Sequence, residues 1–153
     1  MPSLTNYGQQ LGLYDDNRTF LPGLTVGTPA THGGIAQIAD RIDLYNGMTA
    51  VEDKDASAST FDDPGGGGYD ATDGENLTKA GSWSNPDDAS GDTQIVLTPN
   101  VVFTAGAGGI NDVGGAVLRD EEDNPIAWWE RSSDITLAQN DTITADQLTI
   151  RIV

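Results

Sequence analysis

The chain holds a single histidine, His32, and no cysteine. A zinc site needs three or four side-chain ligands, so one chain cannot build a multi-histidine or thiolate version of it. A Ser-His-Asp arrangement needs a marked nucleophile beside its base, and none stands out. His32, flanked by Thr31 and Gly33, reads as a loop residue. Among 24 Asp and Glu residues, some carboxylate pair will lie close by chance, so proximity alone carries no glycosidase reading. The stretch Gly106 to Gly115 resembles a nucleotide loop only on the surface. No Lys-Ser or Lys-Thr follows it, and Asn111 stands where a third glycine would be needed, so it reads as a turn. Asp87, Asp88 and Asp92, and separately Asp120, Glu121 and Asp123, offer hard oxygens to Ca²⁺. Neither group has helix-loop-helix ligand spacing, so each reads as a solvated acidic loop, and no metal or cofactor is expected. Asn17, Asn76 and Asn140 each begin an N-x-Thr sequon, a pattern that an Asn- and Thr-rich chain produces by chance. The expectation is a protein without enzymatic activity.

What remains is recognition by aromatic side chains. Tyr7, Tyr14, Phe20, Trp83, Trp128 and Trp129 are the interface candidates, because aromatic residues are enriched where binding energy concentrates. Trp128 and Trp129 are adjacent, and neighbours on a strand point to opposite faces. One belongs in a core, while the other faces a partner, a loop or water.

Charge limits the partners. Asp and Glu total 24 against 7 Lys and Arg, for a formal charge of -17. Phosphate contacts need clustered cations, so nucleic acid is excluded as a partner, and anionic membranes are disfavoured for the same reason. Self-repulsion on this scale gives solubility. It also suits a salt-rich solvent, since screening shortens charge repulsion to about 3 Å at 1 M. Only Lys54 and Lys79 are lysines, and the balance points to a halophilic source. No apolar run approaches the roughly 20 residues that cross a bilayer. The first residues lack the basic and apolar regions of a signal peptide, so synthesis in the cytoplasm is expected.

The elements that must position these residues are mostly β. Residues 1 to 34 carry six glycines and are read as an N-terminal arm with apolar anchors such as Leu4, Leu11 and Leu24. Residues 35 to 153 are read as one β-sandwich domain. A strand is expected from Ile38 to Tyr45, closed by the turn pair Asn46-Gly47. Residues 48 to 94, poor in large apolar side chains, are read as a long glycine-rich loop tacked down by Tyr69, Leu77 and Trp83. Short strands follow at Ile95 to Leu97 and Val101 to Phe103. A hairpin runs from Gly114 to Leu118, through the tip Asp120 to Asn124, into Ile126 to Glu130. Ile135 to Leu137, Thr142 to Thr144 and Leu148 to Ile152 complete the set. Such spacing predicts an all-β fold, an antiparallel β-sandwich or jelly roll.

The order of these pieces resembles a group of small tailed-virus virion proteins, of the head-decoration or tail-fibre type. Leu4-Thr5-Asn6-Tyr7 is similar to their start, and Gly67-Gly68-Tyr69 to their mid-chain glycine-tyrosine motif. Gly114-Gly115-Ala116-Val117-Leu118 resembles the strand entering their hairpin, and Ala127-Trp128-Trp129 the aromatic strand leaving it. Asn140-Asp141-Thr142 before Leu148-Thr149-Ile150 resembles their ending. The last third matches well and the rest in outline. Their start is typically helical, whereas Gly8 and Gly12 disfavour a helix here by about 1 kcal/mol each. The resemblance implies a virion structural protein, first a capsid decoration or cement protein, with a tail or head fibre binding a host surface or glycan as the alternative. Its implied partners are the major capsid protein or other virion proteins, with further copies of itself, a trimer foremost.

Overall fold

The computed structural model describes residues 3–4, 34–47, 56–70, 75–77, 82–84, 87–89, 92–97 and 100–152. In chain order these form β1 (Ser3–Leu4), a four-residue helix α1 (Ile35–Ile38), β2 (Arg41–Asn46) and a 3₁₀ turn (Ala58–Thr60). Next come β3 (Glu75–Asn76), β4 (Asp87–Ala89), β5 (Asp92–Val96) and β6 (Val101–Thr104). β7 (Ile110–Arg119), β8 (Pro125–Leu137), β9 (Thr142–Ala145) and β10 (Thr149–Ile152) complete the chain. The fold is all-β, and every strand pair is antiparallel. A five-stranded sheet has the order β1-β8-β7-β2-β3, a three-stranded sheet β10-β5-β4, and β6 pairs with β9.

The β7–β8 hairpin is the expected one, lengthened at both ends. Its tip is closed by Asp120, whose Oδ1 accepts the backbone N–H groups of Glu122 and Asn124, each at 2.9 Å. Its Oδ2 accepts Asn124 Nδ2 at 3.0 Å. A short acidic side chain that satisfies its own turn is what places Asp in such tips. Glu121 and Asp123 are exposed, as expected of a solvated acidic loop, whereas the Asp120 carboxylate at its base is only 5% exposed.

Alternation and register give the five-stranded sheet two apolar faces. Ile42, Leu44, Ala116, Leu118 and Ala127 lie in register on one face and belong to the main core. Ile95, Leu97, Val101, Phe103 and Ile150 bring the two smaller sheets to that same core. Burying each such side chain contributes about 1.5–3 kcal/mol. On the opposite face Tyr45, Val117 and Trp128 form a second cluster with Phe61. Phe61 stacks edge-on to Tyr45, ring centroids 5.3 Å apart, and tilts against Trp128 at 5.8 Å.

Several expectations need correction. Ile38 belongs to α1, so the strand begins at Arg41. The strand ends at Asn46 with Gly47 in a turn, as expected, and the pair also ties distant segments together: Asn46 N–H donates to Asp62 O at 2.8 Å and Gly47 N–H to Asp112 O at 2.7 Å. Within the acidic stretch, Asp87–Ala89 (β4) pairs antiparallel with the start of β5, Asp88 opposite Thr93 and Ala89 opposite Asp92. Cross-strand pairing overrides the low strand propensity of aspartate there. The second half of the Gly106 to Gly115 turn is already β7. Most of the arm (1 to 34) and much of the 48 to 94 loop lie outside the described residues. No described helix is long and apolar enough to cross a membrane, which says nothing of β-barrels.

Candidate interaction site

Three tryptophans occupy three environments. Trp83 is 4% exposed, lies in the main core and bridges to Leu97. Together with buried Leu77 it fastens the long mid-chain segment, as expected of both. Trp128 is 6% exposed and sits in the second cluster. Trp129, on the other face of β8, packs at the margin of the main core and keeps part of its surface open. Its indole N–H is buried and finds no hydrogen-bond partner among the described residues. An unpaired buried donor costs about 1–3 kcal/mol.

A groove of about 240 Å³ opens beside it. Leu44, Ala116 and Trp129 supply its floor from the five-stranded sheet. Ile143, Ala145 and Leu148, on β9 and the link to β10, form the facing wall. Glu130, Arg131, Thr144 and Asp146 make a polar rim. The groove exists because β9 pairs with β6 rather than with β8. Between the layers it runs over β2, β7 and β8 of the five-stranded sheet. Small-molecule pockets run to roughly 300–1,000 Å³. This one is sized for a single large side chain, with apolar walls and a charged rim, the usual layout of an anchor pocket at a protein interface.

Behind the opposite face lies a buried charge network. Asp43 is 1% exposed and Arg119 6%. Arg119 Nε and Arg41 Nε both stand 2.9 Å from Asp43 Oδ2. Arg41 also pairs with Asp123, and Arg119 donates to the carbonyls of Asp123 at 3.1 Å and Phe61 at 3.4 Å. The Arg119 guanidinium lies 5.9 Å from the centre of the Phe61 ring. Burial pushes the Asp43 carboxyl above its ordinary range, against the opposing pull of Arg41 and then Arg119. This network joins β2, β7, the hairpin tip and the Phe61 segment, which makes it a fastening.

A second fastening is made of backbone. The Gly65–Gly68 run meets the Gly106–Gly109 run: Gly68 N–H donates to Gly109 O at 2.8 Å and Gly106 N–H to Gly68 O at 3.0 Å. Asn111 N–H donates to Gly65 O at 2.8 Å. Gly66 and Gly108 have φ of +100° and +94°, and a Cβ on Gly108 would collide with Gly66 O. Glycine is required at such approaches. Tyr69 continues the clasp: its hydroxyl accepts the Leu44 N–H at 2.8 Å, and its ring meets Phe103.

Of the interface candidates among the described residues, only Trp129 borders open space. Tyr7, Tyr14 and Phe20, like His32, lie outside the described residues. Sequence reasoning did not single out Leu44, Ala116, Ile143 or Leu148 as groove residues. Period-2 alternation does place Trp129 on the Ala127 face, but the gap between sheets has no local signal. Comparison with protein-family models, curated proteins and solved structures gives no match.

Proposed function

We propose that the protein is a structural component of a tailed-virus particle, a capsid decoration or cement protein. The Trp129 groove carries this reading: an apolar, side-chain-sized slot with a charged rim, lying over β2, β7 and β8 of the largest sheet. A partner's aromatic or aliphatic residue seated there would gain a dry anchor point. The motifs of the virion resemblance meet in this region, since Ala116 and Trp129 face each other across the β7–β8 hairpin. The implied partners are the major capsid protein and further copies of the chain, and the implied site of action is the virion after synthesis in a halophilic host's cytoplasm.

The rim carboxylates Glu130 and Asp146 are both exposed, whereas a catalytic acid works from a dry setting. That supports binding over hydrolysis. A glycan-binding fibre role would gain from aromatics exposed together at one end; among the described residues Tyr45, Phe61, Phe103, Trp83 and Trp128 are buried.

Co-sedimentation with undecorated shells in molar salt tests the proposal. Saturable binding that drops at least tenfold in Trp129→Ala is expected. No association of the folded wild-type protein with shells would overturn it.

A further inference from the structure

Ile143, Thr144 and Ala145 are consecutive residues of β9, and all three line the Trp129 groove. Successive side chains of a strand point to opposite faces. Ile143 and Ala145 are half-buried and pack against the main core, whereas Thr144 is exposed. One groove touches both sets only by running along the edge of the strand. β6 closes one edge of β9, from Val101 opposite Ala145 to Thr104 opposite Thr142. The groove therefore follows the other edge, which has no strand neighbour among the described residues.

An open edge presents unpaired backbone N–H and C=O groups. Across the groove from it lie Leu44, Ala116 and Trp129 of the five-stranded sheet. An extended segment paired to β9 would continue the β6–β9 layer over these three residues. One of its side chains would enter the slot and the adjacent ones would point away. Those two positions on, about 7 Å to either side, would reach the rim. A helix spends its backbone groups on itself, so an extended chain is the shape that uses both the edge and the slot.

Charge selects the occupant. At the rim the exposed carboxylates of Glu130 and Asp146 face one guanidinium, that of Arg131. The indole of Trp129 also attracts cations. A second copy of the chain, with its charge of -17, brings the wrong sign.

We infer that the groove receives an extended segment of a partner protein, added as a strand to the free edge of β9, with an apolar residue in the slot and a lysine or arginine two positions away. Affinity in such strand addition comes from main-chain hydrogen bonds and specificity from alternate side chains. The inference rests on the reading of the groove as a docking site and adds the shape and charge of what docks.

Short synthetic peptides test it in dilute buffer, where rim charges are least screened. The first places leucine centrally with a lysine two positions to each side and threonine elsewhere. The second replaces the lysines by glutamate, and the third is the lysine peptide N-methylated at every amide, which removes its strand donors. The lysine peptide should bind, each of the others at least tenfold more weakly. Its binding should slow hydrogen exchange at backbone amides of Thr142–Ala145. Asp146→Lys, a change at an exposed site, should weaken the lysine peptide and tighten the glutamate one. No binding of the lysine peptide, equal affinity for its glutamate or N-methylated version, or unchanged exchange along Thr142–Ala145 would overturn the inference. Shell association that still depends on Trp129 would then leave the particle reading standing. Peptide binding without any shell association would instead sink the particle reading and keep strand addition.

Discussion

Asp43 and Arg119 meet across β2 and β7 at 2.9 Å, with the carboxylate 1% and the guanidinium residue 6% exposed. Arg41 approaches the same carboxylate oxygen, while Asp43 Oδ1 has no hydrogen-bond partner among the described residues. Removing one member of a buried pair strands the other in a dry environment. Arg119→Ala should therefore cost about 3–5 kcal/mol of stability, read by urea unfolding. A loss below about 1 kcal/mol would show the pair to be well solvated.

The same carboxyl gives a pH signature. Burial raises its folded value above the ordinary 3.8, so between those two values the folded state holds the proton more tightly than the unfolded one. Its contribution to stability is complete below 3.8 and is lost as pH rises through the folded value. The stability of wild type relative to Asp43→Asn should therefore increase as pH is lowered from neutral. A decrease would mean that the arginines outweigh burial.

The glycine clasp predicts an order of effects. Gly67 has φ +81° with open space around it, whereas Gly108 has φ +94° and its Cβ would strike Gly66 O. Gly67→Ala should cost about 1–2 kcal/mol, the left-handed penalty alone. Gly108→Ala should cost more, since backbone must also move. Equal losses in parallel urea titrations would contradict the clasp geometry.

Charge predicts the response to salt. A net -17 destabilises the compact state through repulsion that salt screens. The melting temperature should rise by several degrees between dilute buffer and 1 M NaCl, about 2–4 °C for each kcal/mol gained. An unchanged melting temperature would remove the argument for a salt-rich setting.

Much of this fold was legible, and the reasons differ by region. β6 and β9 follow their alternation and the β7–β8 hairpin follows its acidic tip, because these signals are local, whereas the separate strand expected at Ile135 to Leu137 is the far end of β8. β2 was harder. Arg41 and Asp43 lie on the face opposite Ile42 and Leu44, yet Asp43 is buried there and Tyr45 packs into a second layer built on Phe61, which nothing near β2 in sequence announces. The clasp between the Gly65–Gly68 and Gly106–Gly109 runs was illegible for the same reason, since each run alone reads as a flexible turn. Trp129 was among the candidates, but its groove depends on how far β9 stands from β8, a property of sheet packing. His32 and the arm aromatics Tyr7, Tyr14 and Phe20 lie outside the described residues.

The two adjacent tryptophans should separate stability from docking. Trp128 fills the cluster with Tyr45 and Phe61, so Trp128→Ala should destabilise by about 3–5 kcal/mol. Trp129→Ala, at the groove, should cost less stability than Trp128→Ala. Its docking loss should be tenfold or more, about 1.4 kcal/mol. Paired urea and shell-binding titrations check the split, and identical profiles for both variants would contradict it.

The most direct measurement is a cryo-EM reconstruction of the particle that carries this chain. The account predicts density for the fold at repeated capsid sites, with a partner side chain seated in the groove between Trp129 and Ile143. Absence of the chain from the particle, or capsid-bound copies with that groove open to solvent, would contradict it.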